Sequence, residues 1–190
     1  NKFFLNFTNK LFLNFDIKSK INSKFKDKIF VVGSPENSFK KNFNISNINS
    51  ESNFTIFISG GSQGSEFVSN FATNLIKIID NEKIIKAKFI FQCSKNLIKK
   101  QEEKLRNIKS PIILKDFFIN IDEILANANL AICRAGAGTI VDLINFKLPS
   151  ILIPLPSSKD NHQFFNAKIL AKHDLAIIID QNNDDLDRAK

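Results

Sequence analysis

With 190 residues and a mass of 21.5 kDa, the chain has room for one ordinary domain and part of another. Hydrophobic residues make up 43% of the sequence and charged residues 24%, which excludes a wholly disordered chain. The net charge of +8 raises the possibility of nucleic-acid binding. However, the sequence contains no zinc-finger, RNP-type or KH-type motif, so we interpret its lysines as solvated helix faces and expect no nucleic-acid partner. Attraction to an anionic membrane surface or a phosphorylated lipid is the weaker alternative.

The first 33 residues differ from the rest of the chain. Residues 1–28 mix Phe and Leu with Lys and Asn, and Lys28–Gly33 is typical of a short buried strand that ends in a turn. The sequence has no Met and begins within an amphipathic stretch, which predicts an internal piece of a longer protein. We therefore expect residues 1–33 to be the end of a preceding domain with its linker, and residues 34–190 to be a second, truncated domain.

From Phe54 onward, predicted strands alternate with predicted helices. We predict strands at Phe54–Ile58, Lys88–Gln92, Ile112–Leu114, Asn129–Arg134, Ser150–Pro154 and Ala176–Asp180. The helices between them are predicted at Glu66–Ile79, Asn96–Asn107, Ile121–Ala126, Thr139–Phe146 and Gln163–His173. This alternation predicts an α/β fold with a doubly wound parallel sheet. Ligands of such sheets bind at the carboxyl ends of the strands, so the loops there are the candidate sites.

The first candidate loop is Ser59–Ser65, which contains three glycines between a strand and a helix. Free N–H groups at a helix start can hold a phosphate, and glycines allow its close approach. The loop matches neither the dinucleotide fingerprint GxGxxG nor the P-loop, which requires a Lys. From these residues alone, a tight turn and a phosphate site are equally good interpretations.

The second candidate loop, Cys133–Thr139, leads into a helix that carries Asp142. We expect Ala135–Gly138 to form a turn and Thr139 to cap the helix. Asp142 then lies on the same helix face as Thr139, where its carboxylate can accept two hydrogen bonds from a vicinal diol such as ribose. The other role for Asp142 is favourable placement near the positive end of the helix, and from these residues alone it is the preferred interpretation.

The third candidate is the start of the helix after Pro154. Gln163 and Asn166 are three residues apart, so their amides point the same way and suit a sugar's hydroxyl groups. Amides at a helix start are, however, more often caps than ligands. Cys93 and Cys133 lie far apart, without CxxC spacing and away from both histidines. We therefore expect no zinc site and no disulfide framework.

Taken in order, the motifs resemble the donor-binding half of the MurG family of bacterial N-acetylglucosamine transferases. The motifs are Gly60-Gly61-Ser62-Gln63-Gly64-Ser65, Phe118-Ile119, Cys133-Arg134-Ala135-Gly136-Ala137-Gly138-Thr139, Ile153-Pro154-Leu155-Pro156 and His162-Gln163 with Asn166-Ala167. Val32-Gly33-Ser34-Pro35 is similar to the link between that family's two domains. The likeness covers nearly the whole chain. It implies a GT-B architecture, in which the second of two Rossmann-like domains holds the UDP-sugar.

The resemblance also implies roles for individual residues. Ser62 would contact the diphosphate, the backbone around Ile119 would read the uracil, and Asp142 would hold the ribose. The turn Ala137–Thr139 would bind phosphate, and Gln163 with Asn166 would face the sugar. The substrate-binding set implied is Ser62, Gln63, Ile119, Arg134, Ala137, Gly138, Thr139, Asp142, Gln163 and Asn166. No metal and no other cofactor is expected, and the catalytic residues are expected in the preceding domain.

The activity implied is transfer of N-acetylglucosamine from UDP-GlcNAc to undecaprenyl-pyrophosphoryl-MurNAc-pentapeptide, lipid I, for peptidoglycan synthesis. The isolated fragment is expected to bind the donor without transferring the sugar. Such an enzyme would lie peripherally on the cytoplasmic face of the bacterial inner membrane. The alternatives are another GT-B enzyme that uses a UDP-sugar, such as an epimerase or a glycolipid synthase, and a non-catalytic nucleotide-binding remnant.

Three residues depart from the family pattern. The family usually has Glu where Asp142 stands, and Arg at the place of Asn37. Ser94 stands where the family commonly shows Gly. The shorter side chain of Asp142 reduces its reach to a ribose.

Overall fold

The computed structural model describes residues 2–16, 21–33, 54–61 and 64–182. The chain divides into two compact units, Asn1–Lys41 and Asn42–Lys190. Residues 34–53, where the predicted domain boundary and Asn37 fall, lie outside the described residues. The assignment of residues 1–33 to the end of a preceding domain therefore stays a prediction.

The first unit contains two short strands, β1 (Leu11–Leu13) and β2 (Ile29–Val31), which pair in parallel. Strand β2 lies inside the predicted Lys28–Gly33, but the expectation that this strand is buried is wrong, because Phe30 and Val31 are each 42% exposed. Two 3₁₀ helices, Lys2–Asn6 and Ser23–Lys28, precede the strands. The Lys28 ammonium donates a hydrogen bond to the carbonyl oxygen of Thr8 at 2.9 Å, which fastens the chain after the first helix to the end of the second.

In the second unit, strands alternate with helices from β3 onward in the described residues. Its strands are β3 (Phe54–Ser59), β4 (Ala87–Gln92), β5 (Ile112–Lys115), β6 (Leu130–Cys133), β7 (Ser150–Leu152) and β8 (Ala176–Ile178). Its helices are α1 (Glu66–Glu82), α2 (Ile98–Leu105), α3 (Ile121–Asn127), α4 (Ala137–Asn145) and α5 (His162–Ala171). A short 3₁₀ turn, Lys159–Asn161, leads into α5.

The six strands form one sheet in the order β5-β4-β3-β6-β7-β8, and every neighbouring pair is parallel. The predicted doubly wound parallel sheet is confirmed. The strand order reverses between β3 and β6. Right-handed crossovers therefore place α1 and α2 on one face and α3, α4 and α5 on the other. The packing agrees, since α1 contacts α2 and α4 contacts α5.

Burial on both faces explains the apolar character of the central strands. On the face covered by α1, Ile56 and Ile58 of β3 and Phe89 of β4 are each at most 1% exposed. On the opposite face, Phe57 of β3 is 5% exposed and Ala131 of β6 is fully buried. Strands covered by helices on both sides need such continuous apolar runs rather than an alternating pattern. The rigid centre of the sheet carries the ends of β3 and β6, and the candidate site lies beyond them.

Candidate functional site

A cleft lies on the α3–α4 face where β3 and β6 end, at the point where the strand order reverses. We call it the switch-point cleft. Its volume is about 110 Å³, and it is lined by Phe57, Ser59, Gly61, Ile121, Leu125, Ala131, Cys133, Arg134, Thr139, Asp142 and Leu143. Its walls are mostly apolar, with polar groups at the strand ends and on the first turns of α4. Ligands of open α/β sheets bind at this position.

The first glycine loop, between β3 and α1, is tightly packed. A Cβ at Gly60 would lie 2.5 Å from the backbone nitrogen of Ser65. Gly64 has a positive φ of 72°, and a Cβ there would lie 2.6 Å from Cβ of Ser94. Glycine is therefore required at both positions for the loop to close. Ser62 and Gln63, the predicted diphosphate contacts, lie outside the described residues.

Ser65 caps the helix that follows this loop. Its hydroxyl oxygen accepts a hydrogen bond from the backbone N–H of Val68 at 3.3 Å. Ser65 was not predicted to be a functional residue. The signal was present, because a Ser directly before a helix that opens with Glu66 is a standard N-cap pattern.

The second glycine loop, between β6 and α4, ends differently from the prediction. Helix α4 begins at Ala137, two residues earlier than predicted, and Gly136 rather than Thr139 is its N-cap. The expectation that Ala135–Gly138 forms the turn and that Thr139 caps the helix is therefore wrong. The backbone of Gly136 already has the extended conformation that an N-cap requires (φ −64°, ψ 152°), and this places Thr139 inside the first turn.

The first turn of α4 is open. No side chain in the described part of the chain forms a capping hydrogen bond to it. A Cβ at Gly138 would meet nothing within 4 Å. The first N–H groups of a helix have no partner within the helix, and they carry the positive end of its dipole. The predicted phosphate-binding residues Ala137, Gly138 and Thr139 thus form an accessible cluster of N–H donors.

Thr139 and Asp142 both line the switch-point cleft, as their spacing on one helix face predicts. Asp142 is half-buried, in the second turn of α4. The structure therefore brings the predicted phosphate and ribose contacts together at one edge of the sheet.

Arg134, the residue after β6, is 7% exposed. Its Nη1 donates hydrogen bonds to the carbonyl oxygens of Ile153 and Pro154 at 3.0 and 3.1 Å. Its Nη2 donates to Oγ of Ser65 at 2.6 Å and to Oε1 of Gln181 at 2.8 Å. Burial lowers the pKa of the guanidinium. The four Nη hydrogens are thus directed at protein acceptors from three other segments.

Gln163 and Asn166, on the first turns of α5, each bind a neighbouring loop. Gln163 accepts a hydrogen bond from the backbone N–H of Leu155 at 3.0 Å through Oε1. Asn166 donates one from Nδ2 to the carbonyl oxygen of Ala135 at 3.1 Å. Asn166 therefore links α5 directly to the β6–α4 loop. Asn166, one of the predicted sugar-binding pair, thus lies next to the predicted phosphate site.

Ile119 lies in the loop between β5 and α3 and is 87% exposed. Its backbone forms no hydrogen bond to any other described residue. The N–H and C=O groups of Ile119 are therefore available to an incoming ligand, as a backbone uracil reader would require.

The two cysteines are buried, Cys133 in the wall of the switch-point cleft and Cys93 at the end of β4. Burial raises the pKa of Cys93 to about 11 and that of Cys133 to about 12. Both thiols are therefore protonated at neutral pH and are not nucleophiles. Among the described residues, no group of three His, Cys, Asp or Glu side chains could hold a metal ion. Within the same residues, no helix is long and apolar enough to span a bilayer.

Several curated proteins that are similar to this chain carry the same name. A protein of Campylobacter jejuni subsp. jejuni serotype O:23/36 (strain 81-176) is 39% identical over 154 residues. It is named UDP-N-acetylglucosamine--N-acetylmuramyl-(pentapeptide) pyrophosphoryl-undecaprenol N-acetylglucosamine transferase. The match covers 81% of this chain and 44% of that protein. The chain thus spans less than half the length of the relative.

Solved structures share the fold. The crystal structure of MurG from Acinetobacter baumannii superposes with a TM-score of 0.65 at 25% identity, over 71% of this chain and 38% of that one. The UDP-GlcNAc 2-epimerase of Methanocaldococcus jannaschii superposes with a TM-score of 0.56 at 18% identity, over 93% of this chain and 51% of that one. At 18% identity, the epimerase shows a shared fold alone.

The family model described as "Glycosyltransferase family 28 C-terminal domain" matches residues 55–188. This range contains the six-stranded sheet, except for Phe54 at the start of β3, and all the loops of the candidate site. The resemblance to the MurG family found in the motifs is confirmed. The chain belongs to glycosyltransferase family 28, as a representative of its C-terminal domain.

Proposed function

We propose that this chain is the donor-binding part of an enzyme that transfers N-acetylglucosamine from UDP-GlcNAc to undecaprenyl-pyrophosphoryl-MurNAc-pentapeptide. The observation that carries the proposal is the uncapped first turn of α4 above the switch-point cleft, with Asp142 on the same helix. The 39% identity to a curated transferase of that name supports this reaction over others on the same fold.

In the proposed complex, each part of the donor meets a matching group. The diphosphate lies at the N–H groups of Ala137, Gly138 and Thr139, where the helix dipole favours negative charge. The carboxylate of Asp142 accepts hydrogen bonds from the ribose diol. The N-acetylglucosamine then extends toward Gln163 and Asn166, because Asn166 is bound to the β6–α4 loop.

Departure of UDP leaves negative charge on the diphosphate as the glycosidic bond breaks. Fixed N–H groups that point at this charge stabilise it in the transition state without reorganisation. We propose that the first turn of α4 supplies this stabilisation, with Ser62 and Gln63 contributing from the first glycine loop. Acceptor binding and the catalytic base are assigned to a part of the enzyme that the matched domain does not include.

The acceptor is linked to a lipid, so the enzyme must work at a membrane surface. We propose a peripheral position on the cytoplasmic face of the bacterial inner membrane. The net charge of +8 supports this position, because basic side chains are attracted to anionic lipids.

Calorimetric titration with UDP-GlcNAc, UDP and CDP tests the proposal. We expect both uridine nucleotides to bind. Cytosine exchanges a donor and an acceptor on the edge that the Ile119 backbone reads, so groups that the bound base covers are left unpaired, at a cost of about 1–3 kcal/mol. CDP should therefore bind more weakly by roughly that amount. Equal affinity for UDP and CDP would remove Ile119 from the site, and no binding of either uridine nucleotide would refute the proposal.

A further inference from the structure

The side chain of Arg134 forms hydrogen bonds to three other segments at the carboxyl edge of the sheet. It belongs to the β6–α4 loop, and its guanidinium reaches Ser65 before α1, the carbonyl groups after β7, and Gln181 after β8. A Cβ at Gly61 would lie 3.9 Å from Cβ and Cγ of Arg134. The side chain therefore underlies the first glycine loop while its backbone forms part of the second.

The hydrogen bond to Ser65 links Arg134 to the start of α1. Oγ of Ser65 accepts from Nη2 of Arg134 at 2.6 Å and from the N–H of Val68 at 3.3 Å. The hydroxyl that caps α1 is thus held in place by the guanidinium. A change at Arg134 should therefore alter the loop before α1, about 70 residues away in sequence.

We propose that Arg134 is a positioning residue for the nucleoside diphosphate: it fixes the two glycine loops relative to each other. This role replaces the direct substrate contact that the family resemblance implied for Arg134, because its Nη hydrogens are directed at protein acceptors even though the residue lines the switch-point cleft. This inference rests on the proposed function for the nature of the ligand. The planar guanidinium suits the task, because it holds several donors in a rigid fork that can satisfy acceptors on different segments. A lysine at this position has a single ammonium with three donors and cannot reach four acceptors at once.

Hydrogen exchange of the free protein tests the positioning without any ligand. In Arg134→Lys, we expect amide exchange to rise about tenfold in residues 64–68 and 179–182, equivalent to about 1.4 kcal/mol of lost protection. Exchange at Lys109 and Ser110, which Asp80 holds elsewhere in the fold, should not change. The matched control is Arg106→Lys, which alters an exposed arginine. Unchanged exchange in residues 64–68 would overturn the inference, whatever the protein binds.

A double-mutant cycle on UDP affinity then separates positioning from direct contact. If Arg134 acts through Ser65, then Arg134→Lys and Ser65→Ala each weaken UDP binding about tenfold, and the double variant is little worse than either. Ser65→Thr keeps a hydroxyl and should restore most of the affinity. Effects that multiply to about a hundredfold, or a Ser65→Ala variant with normal affinity, would overturn the inference.

Two further results, a wild type that does not bind UDP and an Arg134→Lys variant that does not fold, still allow the role of Arg134 to be tested. If the wild-type protein fails to bind UDP while exchange responds as expected, the proposed function is refuted and Arg134 still positions the loops. If Arg134→Lys fails to fold, Gln181→Ala removes a single acceptor of Nη2 and should accelerate exchange in residues 64–68 by a smaller factor. Exchange there at the wild-type rate in Gln181→Ala would overturn the inference.

Discussion

The two glycine loops of this domain have the same place in the topology and opposite surroundings. Both connect a central strand to a helix at the switch point, β3 to α1 and β6 to α4. In the first loop, Ser65 caps the helix, and Gly60 and Gly64 are in close contact with their neighbours. In the second, the helix has a glycine cap, and Gly138 faces open space.

This difference indicates which helix start is available to a ligand. An N–H group that already bonds to a serine hydroxyl has less to offer an anion than one with no partner. In the first loop, Gly60 and Gly64 are required because a side chain at either position would clash with neighbouring atoms. In the second loop, Gly138 leaves open space above the backbone. Glycine-rich loops that look alike in sequence therefore have different roles here, and substitution separates them.

The largest effect is expected at Gly64. Gly64→Ala places a side chain at a positive φ and 2.6 Å from Cβ of Ser94. The left-handed conformation costs a non-glycine residue about 1–2 kcal/mol, and overpacking adds roughly 1–3 kcal/mol. We expect the free energy of unfolding to fall by about 2–5 kcal/mol, measured by chemical denaturation. A variant as stable as the wild type would show that the first loop is not tightly packed.

Asp142 should affect ligand binding more than folding. A well-made hydrogen bond to a charged group contributes about 1.5–3 kcal/mol, so Asp142→Ala should weaken UDP binding by that order. Asp142→Glu, with the longer side chain usual in the family, should bind UDP equally or more tightly. Glu102→Ala, which removes a charge from α2 on the opposite face, serves as the control.

The ribose role can be separated from the helix-dipole alternative with 2′-deoxy-UDP. If Asp142 holds the diol, the loss caused by Asp142→Ala should be smaller for the deoxynucleotide. A dipole effect would amount to about 0.3–1 kcal/mol and would act on stability. Normal UDP affinity combined with a lower melting temperature in Asp142→Ala would eliminate the ribose role.

We expect Gly138→Ala to raise the stability of the fold and to lower the affinity for UDP. Alanine is favoured over glycine in a helix by roughly 0.5–1 kcal/mol, and the space around Gly138 is open, so stability should rise by up to that amount. The methyl group would stand where we place the diphosphate, and we expect UDP affinity to fall by about 1–3 kcal/mol. A more stable variant with unchanged UDP affinity would place the diphosphate elsewhere.

The smallest effect is expected at Asp80, far from the cleft. Its carboxylate accepts hydrogen bonds from the hydroxyl and N–H of Ser110 and from the N–H of Lys109, with oxygen distances of 2.7 to 3.1 Å. The hydroxyl of Ser110, followed by the N–H of Lys109, lowers the pKa of Asp80 below its ordinary value of 3.8. Asp80→Asn should lower the melting temperature at pH 7 by roughly 2–4 °C and leave UDP affinity unchanged.

The lowered pKa of Asp80 also determines how the stability difference between the wild type and Asp80→Asn depends on pH. A carboxyl group whose native pKa is depressed contributes its full stability above the unfolded value of 3.8, and loses it as pH falls through the lower native value. The difference between wild type and Asp80→Asn should therefore shrink in thermal scans taken below about pH 4. A difference that grows as pH falls would contradict the assigned bonds.

The sequence predicted the order of strands and helices because each apolar run is short and bounded by turn residues. Two observed helix boundaries differ from the predicted ones because local capping residues, and not the apolar pattern, determine where these helices end or begin. Helix α1 extends to Glu82, where Lys83 ends it in a left-handed conformation, and α4 begins at Ala137 because Gly136 serves as its cap. Neither end depends on apolar periodicity, which was the main signal available.

The candidate site was predictable as far as its residues share one loop or one helix face. Thr139 and Asp142 line the same cleft, as their spacing requires. The contacts of Arg134 were not predictable, because its acceptors lie 19, 20, 47 and 69 residues away in sequence. Only the strand order, with β6 inserted beside β3, brings those segments together.

The central claim is that the open start of α4 binds the diphosphate of a uridine nucleotide. Titration of the isotope-labelled chain with UDP, followed by the amide resonances in NMR spectra, tests it most directly. We predict that the largest shifts occur at the N–H groups of Ala137, Gly138 and Thr139, with a further shift at Ile119. Resonances of α4 that stay in place while UDP binds would contradict the claim.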